Sequence, residues 1–130
     1  MVDLTPADIR NMLGNKQMEL SSTHNKLSVP IINRIYKKMK NGIKFDDIKV
    51  YEDLIIDGHH RYVSAILAEV ELDKVKSSKT SATTKYDWEI VEFVDEEWDT
   101  EDKIRRLNQF DARFNNLSLE EIISITKNNS

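Results

Sequence analysis

Apolar residues recur at helical spacing in three stretches of the chain and alternate in a fourth. After Ser28-Val29-Pro30, the residues Ile31, Ile32, Ile35, Tyr36 and Met39 fall on one side of a helix with lysines on the other, and Asn41-Gly42 ends it. Val63, Ile66, Leu67 and Val70 follow the i, i+3, i+4, i+7 rule and predict a helix laying one face on a sheet. Ile104 and Leu107, extended by Phe110 and Phe114, predict a third helix capped by Asp99-Thr100. Ile48 and Val50 alternate with Lys49 and Tyr51. After the polar pair Glu52-Asp53 comes Leu54-Ile55-Ile56, so two short strands joined by a tight turn are expected.

Local signals fill in the rest. Thr5-Pro6-Ala7-Asp8 starts a short helix that Gly14 closes, and Ser118-x-x-Glu121 is a capping box opening a last one. Asn15 to Leu27 has no period and reads as an irregular connection. Ser77 to Lys85, rich in small residues and lysine, reads as a loop, and Trp88 to Val94 has strand composition. The expected fold is α+β, a small mixed sheet with surrounding helices. One domain spans residues 1–130, with an N-terminal helix and irregular lead-in over 1–27 and a core over 28–130.

Composition narrows the chemistry. Cysteine is absent from the 130 residues, which excludes disulfides, thiolate zinc sites and a catalytic thiol. No apolar run reaches the roughly 18 residues a membrane span needs, and the N-terminus lacks the regions of a signal peptide. The expected site of action is the cytoplasm, without membrane partners. The net charge of −4 conceals a polarity along the chain. Between Ser21 and Phe45 there is no acid, whereas Tyr86 to Asp102 carries nine acids and no Lys or Arg. Two faces that attract each other and a phosphate-attracting surface both fit that pattern. Lys37, Lys38 and Lys40 are candidates for a nucleic-acid path, or for an ordinary solvated helix face; Trp88 and Trp98 read as core anchors.

The chemistry concentrates where the second strand meets the second strong helix, in Asp57-Gly58-His59-His60-Arg61. The first amides of a helix have no intrahelical partner and the dipole there is positive, so this turn is a potential anion site. Gly58 lets the backbone approach a ligand or take a positive φ. Arg61 supplies a planar fork for two phosphate oxygens. His59 and His60 are candidate general acids or bases, with Asp57 to orient an imidazole or cap the turn. No spacing identifies a metal site, so metal assistance by Asp57 and a histidine stays open, with Mg²⁺ the candidate ion.

Gly58-His59-His60-Arg61-Tyr62, followed by Ser64 and Ala65, resembles the signature turn of the ParB/sulfiredoxin superfamily, in which a Gly-x-x-Arg turn begins a helix and binds nucleotide phosphates. The resemblance extends through the basic helix Pro30 to Lys40, the two strands and, more loosely, Ser118 to Glu121. The sulfiredoxin cysteine position is His59 here, which removes sulfinic acid reduction. The later Glu-Asn motif of partition proteins is replaced by Gln109-Phe110-Asp111-Ala112-Arg113. A nearer likeness is to ParB-like domains at the C-terminal ends of bacterial polymorphic toxins, through Lys44 to Val50, the Asp-Gly-His-His-Arg-Tyr turn, Trp98-Asp99-Thr100 and Asp111-Ala112.

That likeness implies a toxin domain acting on phosphate esters, a nuclease on DNA or RNA, delivered within a larger secreted protein and met by a cognate immunity protein. In this reading Gly58, Arg61 and Ser64 hold phosphate, Lys44 and Lys49 balance developing charge, and His59, His60 and Asp57 carry catalysis. A nucleotide-binding module or small-molecule phosphotransferase for ATP or CTP is the alternative. A non-enzymatic domain, docking its acidic 86–102 segment on a basic partner, is the third.

Overall fold

The computed structural model describes residues 2–127 and is an α+β fold. Helix α1 (Pro6–Gly14) starts where expected. Thr5 Oγ1 accepts the Asp8 amide at 3.0 Å, and the Asp8 carboxylate accepts the Thr5 amide at 2.9 Å. Ser28 likewise caps α2 (Val29–Lys40), and its hydroxyl also donates to the Glu96 carbonyl at 2.7 Å. Thr100 caps α4 (Glu101–Phe114), and Ser118 and Glu121 exchange the two bonds of a capping box ahead of α5 (Leu119–Lys127).

Strands β2 (Ile48–Tyr51) and β3 (Leu54–Asp57) form the expected antiparallel hairpin, with a register shift between Lys49 and Val50. A strand not foreseen, β4 (Lys74–Lys76), adds to β2 in parallel and makes a mixed three-stranded sheet in the order β3-β2-β4. A second, two-stranded parallel sheet joins β1 (Lys26–Ser28) to β5 (Glu92–Val94). Two expectations change here. The connection from Asn15 to Leu27 is less irregular than its sequence, because Ser21 bridges to Leu54, Ser22 to Tyr86, and Lys26 opens β1. The strand expected over Trp88 to Val94 is confined to Glu92–Val94, since the Asp87 carbonyl turns the chain by accepting the Ile90 and Val91 amides.

Helix α3 (His59–Ala68) leaves the end of β3 through Gly58 alone and packs on α2. The largest core cluster gathers Ile9, Leu27, Val29, Ile32, Val63, Leu67, Val91 and Phe93 from three helices, two strands and the turn that precedes β5. Each such side chain contributes about 1.5–3 kcal/mol by leaving water. A second cluster, Leu20, Ile48, Ile55 and Tyr62, fixes the hairpin against the first turns of α3. α4 and α5 are held by Ile43, Ala112 and Ile122. The turn at Gly58 is therefore clamped between two packed elements. No described helix is long and apolar enough to cross a membrane.

Two faces differ from their periodicity. Leu107, Phe110 and Phe114 stay exposed on α4, while Asn108, Asp111 and Ala112 point inward. On α2, Lys37 and Lys38 are buried rather than solvated. Lys37 pairs with Asp3, and Lys38 with Asp111 at 2.7 Å. Neither offers itself to a nucleic-acid backbone.

Candidate functional site

Gly58 takes φ +98° and ψ +29° as the residue preceding α3. A Cβ there would lie 2.6 Å from Ile48 Cγ2 and 2.8 Å from Arg61 Nη2, so both the conformation and the space demand glycine. No side chain caps α3, which leaves its first amides for an external acceptor. Asp57, Gly58, His59, His60 and Arg61 all line a cleft of about 460 Å³ between α2, α4 and the segment around Trp98.

The histidines are set by main chain from elsewhere. His59 Nε2 accepts the Thr23 amide at 3.0 Å, with Thr23 Oγ1 at 3.2 Å, and its ring stacks on His24 at 3.9 Å between centroids. His60 Nε2 accepts the Ser28 amide at 2.9 Å, and its ring meets Trp98 edge to face. Burial pushes the His59 pKa down to about 3 and the His60 pKa down to about 4, helped by the neighbouring His24 in each case. Both rings are therefore neutral at pH 7. A neutral ring whose Nε2 accepts must carry its proton on Nδ1. Among the described residues neither Nδ1 has a protein partner, and no buried side-chain nitrogen or oxygen lacks one. Each Nδ1–H is thus left without a protein acceptor at the edge of the cleft, with His59 as a whole only 3% exposed.

This geometry changes the role expected of His59 and His60. A general base needs an unoccupied lone pair, and the Nε2 lone pair of each ring is held by a backbone N–H. In this arrangement they are neutral hydrogen-bond donors at the foot of α3. Arg61 reaches back over the turn, 3.8 Å from Asp57 and 3.5 Å from the Asp46 carbonyl. Both contacts are long, and the Asp57 carboxylate is two-thirds exposed, so the guanidinium is not committed to an internal partner.

Three other expected phosphate ligands do not join this group. Ser64 is fully buried, and its hydroxyl donates to the Ile32 carbonyl at 3.1 Å, tying α3 to α2. It lies in α3's second turn on the side facing α2. Lys44 and Lys49 are absent from the cleft lining: Lys44 follows α2 and exchanges backbone bonds with the Asn115 side chain, and Lys49 sits on β2 in register with Asp57.

The remaining wall was not legible in the sequence. Lys38 Nζ donates to Asn108 Oδ1 and Asp111 Oδ2, both at 2.7 Å, at the edge of the cleft. Burial lowers the Lys38 pKa against the opposing pull of Asp111. Arg34 forks onto Glu97 and also reaches Asp99 at 3.3 Å, which Lys103 holds from the other side at 3.1 Å. The acidic segment and the basic helix attract each other here, as one of the two charge readings expected. Trp98, expected in the core, is 44% exposed and lines the cleft with Ile31, Ile35, Ile104, Leu107 and Phe110. Trp88 does anchor the interior, its indole donating to the Leu20 carbonyl.

Among the described residues no group of three or more His, Cys, Asp or Glu is placed to hold a metal ion. Mg²⁺ arriving with a phosphate needs only one or two protein carboxylates, and Asp46 and Asp57 on the cleft lining supply that number. Compared with models of known families, with curated proteins and with solved structures, the chain has no match.

Proposed function

We propose that this chain is a ParB/sulfiredoxin-like domain that binds a phosphate ester of nucleotide size at the Gly58 turn. The observation that carries the reading is the convergence, on one turn, of uncapped α3 amides, two neutral imidazoles whose Nδ1–H has no protein acceptor among the described residues, and the loosely held Arg61. Donors without net charge, beside one guanidinium, bind an anion without a second cation having to be buried. The cleft volume of about 460 Å³ suits a small ligand. A polynucleotide track would place several cations along the surface, whereas Arg34, Lys37 and Lys38 are spent on carboxylates.

Titration calorimetry of the chain with ATP, CTP and pyrophosphate, with and without Mg²⁺, tests this. Binding is expected, and Arg61→Ala should weaken it roughly 10- to 100-fold, as loss of a charge-assisted pair does. Absence of heat and of thermal stabilisation with all three ligands would refute the reading.

Hydrolysis of DNA or RNA, the activity of a toxin domain, is the second reading. Asp57 favours it, as a solvent-facing carboxylate beside Arg61 that keeps its lone pairs. Plasmid DNA and RNA incubated with the chain should then be cut by the wild type and spared by Asp57→Asn, and equal cutting by both removes Asp57 from the chemistry.

A further inference from the structure

A second hollow of about 400 Å³ lies beyond Phe45 and Asp46, which it shares with the first cleft, between the end of α2, the Val70–Asp73 segment and the end of α4. Its surface is apolar at Phe45, Val70, Leu72 and Phe114, and Phe114 is 48% exposed while stacked on the equally open Phe110. Around it stand Asp46, Asp47, Glu71 and Asp73. None of these four carboxylates enters an ion pair among the described residues, and the one cation on the rim is Lys44.

We infer that this hollow docks a segment of a partner protein that sets an aliphatic or aromatic side chain between Phe114 and Leu72 and lysines or arginines against the four carboxylates. Charge complementarity selects that occupant. Four carboxylates around a single lysine repel one another, and a cationic partner relieves the repulsion while its apolar side chain covers Phe114. A second copy of this chain fits less well. Arg105 and Arg106 on α4 are already paired with Asp102 at 3.0 and 3.2 Å, and Lys103 with Asp99, so α4 of another copy brings few unpaired cations to the four carboxylates. The surface also differs from the acidic 86–102 segment that the sequence offered for a basic partner, where Glu97 and Asp99 are already engaged by Arg34 and Lys103.

The test uses the full chain as bait for a phage-displayed random dodecapeptide library, followed by synthesis of the enriched sequences. Peptides combining Lys or Arg with an aromatic or aliphatic residue should emerge. Their affinity should fall at least tenfold with Phe114→Ser, and at least tenfold with the paired change Asp47→Lys, at a half-buried position, and Asp73→Lys, at an exposed one. It should also weaken between low and high salt, and should survive Arg61→Ala, which separates this surface from the phosphate site. Lack of enrichment, enrichment of acidic peptides, or undiminished binding to the Asp47/Asp73 variant overturns the inference even if Phe114→Ser does not fold.

Discussion

Replacing Gly58 with alanine puts two separable strains on one residue. The first is conformational, because φ +98° is outside the comfortable range of an L side chain and costs about 1–2 kcal/mol. The second is steric, because the new methyl would sit 2.6 Å from Ile48 Cγ2. Ile48 is fully buried, so it yields only by disturbing the second core cluster, at about 1–3 kcal/mol. The two sum to about 2–5 kcal/mol, a large part of the about 5–15 kcal/mol that stabilises a domain. Two other glycines make the comparison internal. Gly42 shares the positive φ, at +85°, with no atom within 4 Å of its Cβ position, so Gly42→Ala isolates the conformational part. Gly14, at the end of α1, has neither strain, so Gly14→Ala should be neutral or stabilising by up to about 1 kcal/mol. Thermal melts followed by circular dichroism should rank the variants Gly14→Ala, Gly42→Ala, Gly58→Ala from most to least stable, the last melting about 6 °C or more below wild type. If Gly58→Ala melts within about 2 °C of wild type, or no lower than Gly42→Ala, the packed turn described here is wrong.

The histidines make stability depend on pH in a defined direction. Their folded pKa values, about 3 for His59 and about 4 for His60, lie below the unfolded value of 6.5, so the unfolded chain binds more protons between those limits. Their contribution is complete above pH 6.5 and is lost as pH falls toward 4 and 3, so the urea midpoint should drop over that window, and His59→Gln should flatten the drop. Lys38→Met should destabilise by about 3–5 kcal/mol, because Asp111 is left buried without its cation, whereas the double change Lys38→Met with Asp111→Leu should recover most of the loss in the same melts. A double variant no more stable than the single one removes the coupling.

What the sequence showed and what it hid divide by range. Thr5, Ser28, Thr100 and Ser118 announced helix starts correctly because a cap acts on amides two or three residues away. The hairpin was legible because its strands are neighbours. β4 was not, since Lys74-Val75-Lys76 is exposed and becomes a strand only by lying parallel to β2, some 25 residues earlier. Lys38 belonged to the polar side of α2 by period, and only the arrival of Asn108 and Asp111 from α4 turns that side inward. Local pattern singled out Gly58, Arg61 and the histidines as candidates and set them on a turn from strand to helix, which is where they lie. The state of the histidines was not, because Thr23, Ser28 and His24 come from more than 30 residues away.

Thr23 and Ser28 have a consequence reaching past packing. Each offers a main-chain hydrogen to an imidazole, and by doing so decides which of that ring's two nitrogens keeps the mobile proton. A proline at position 23 would withdraw one of those hydrogens and free the ring to adopt its other tautomer, with every residue of the turn itself left as it was. The protonation pattern of this corner is thus written partly in a distant stretch of backbone, where a comparison of motif letters alone has no means of seeing it.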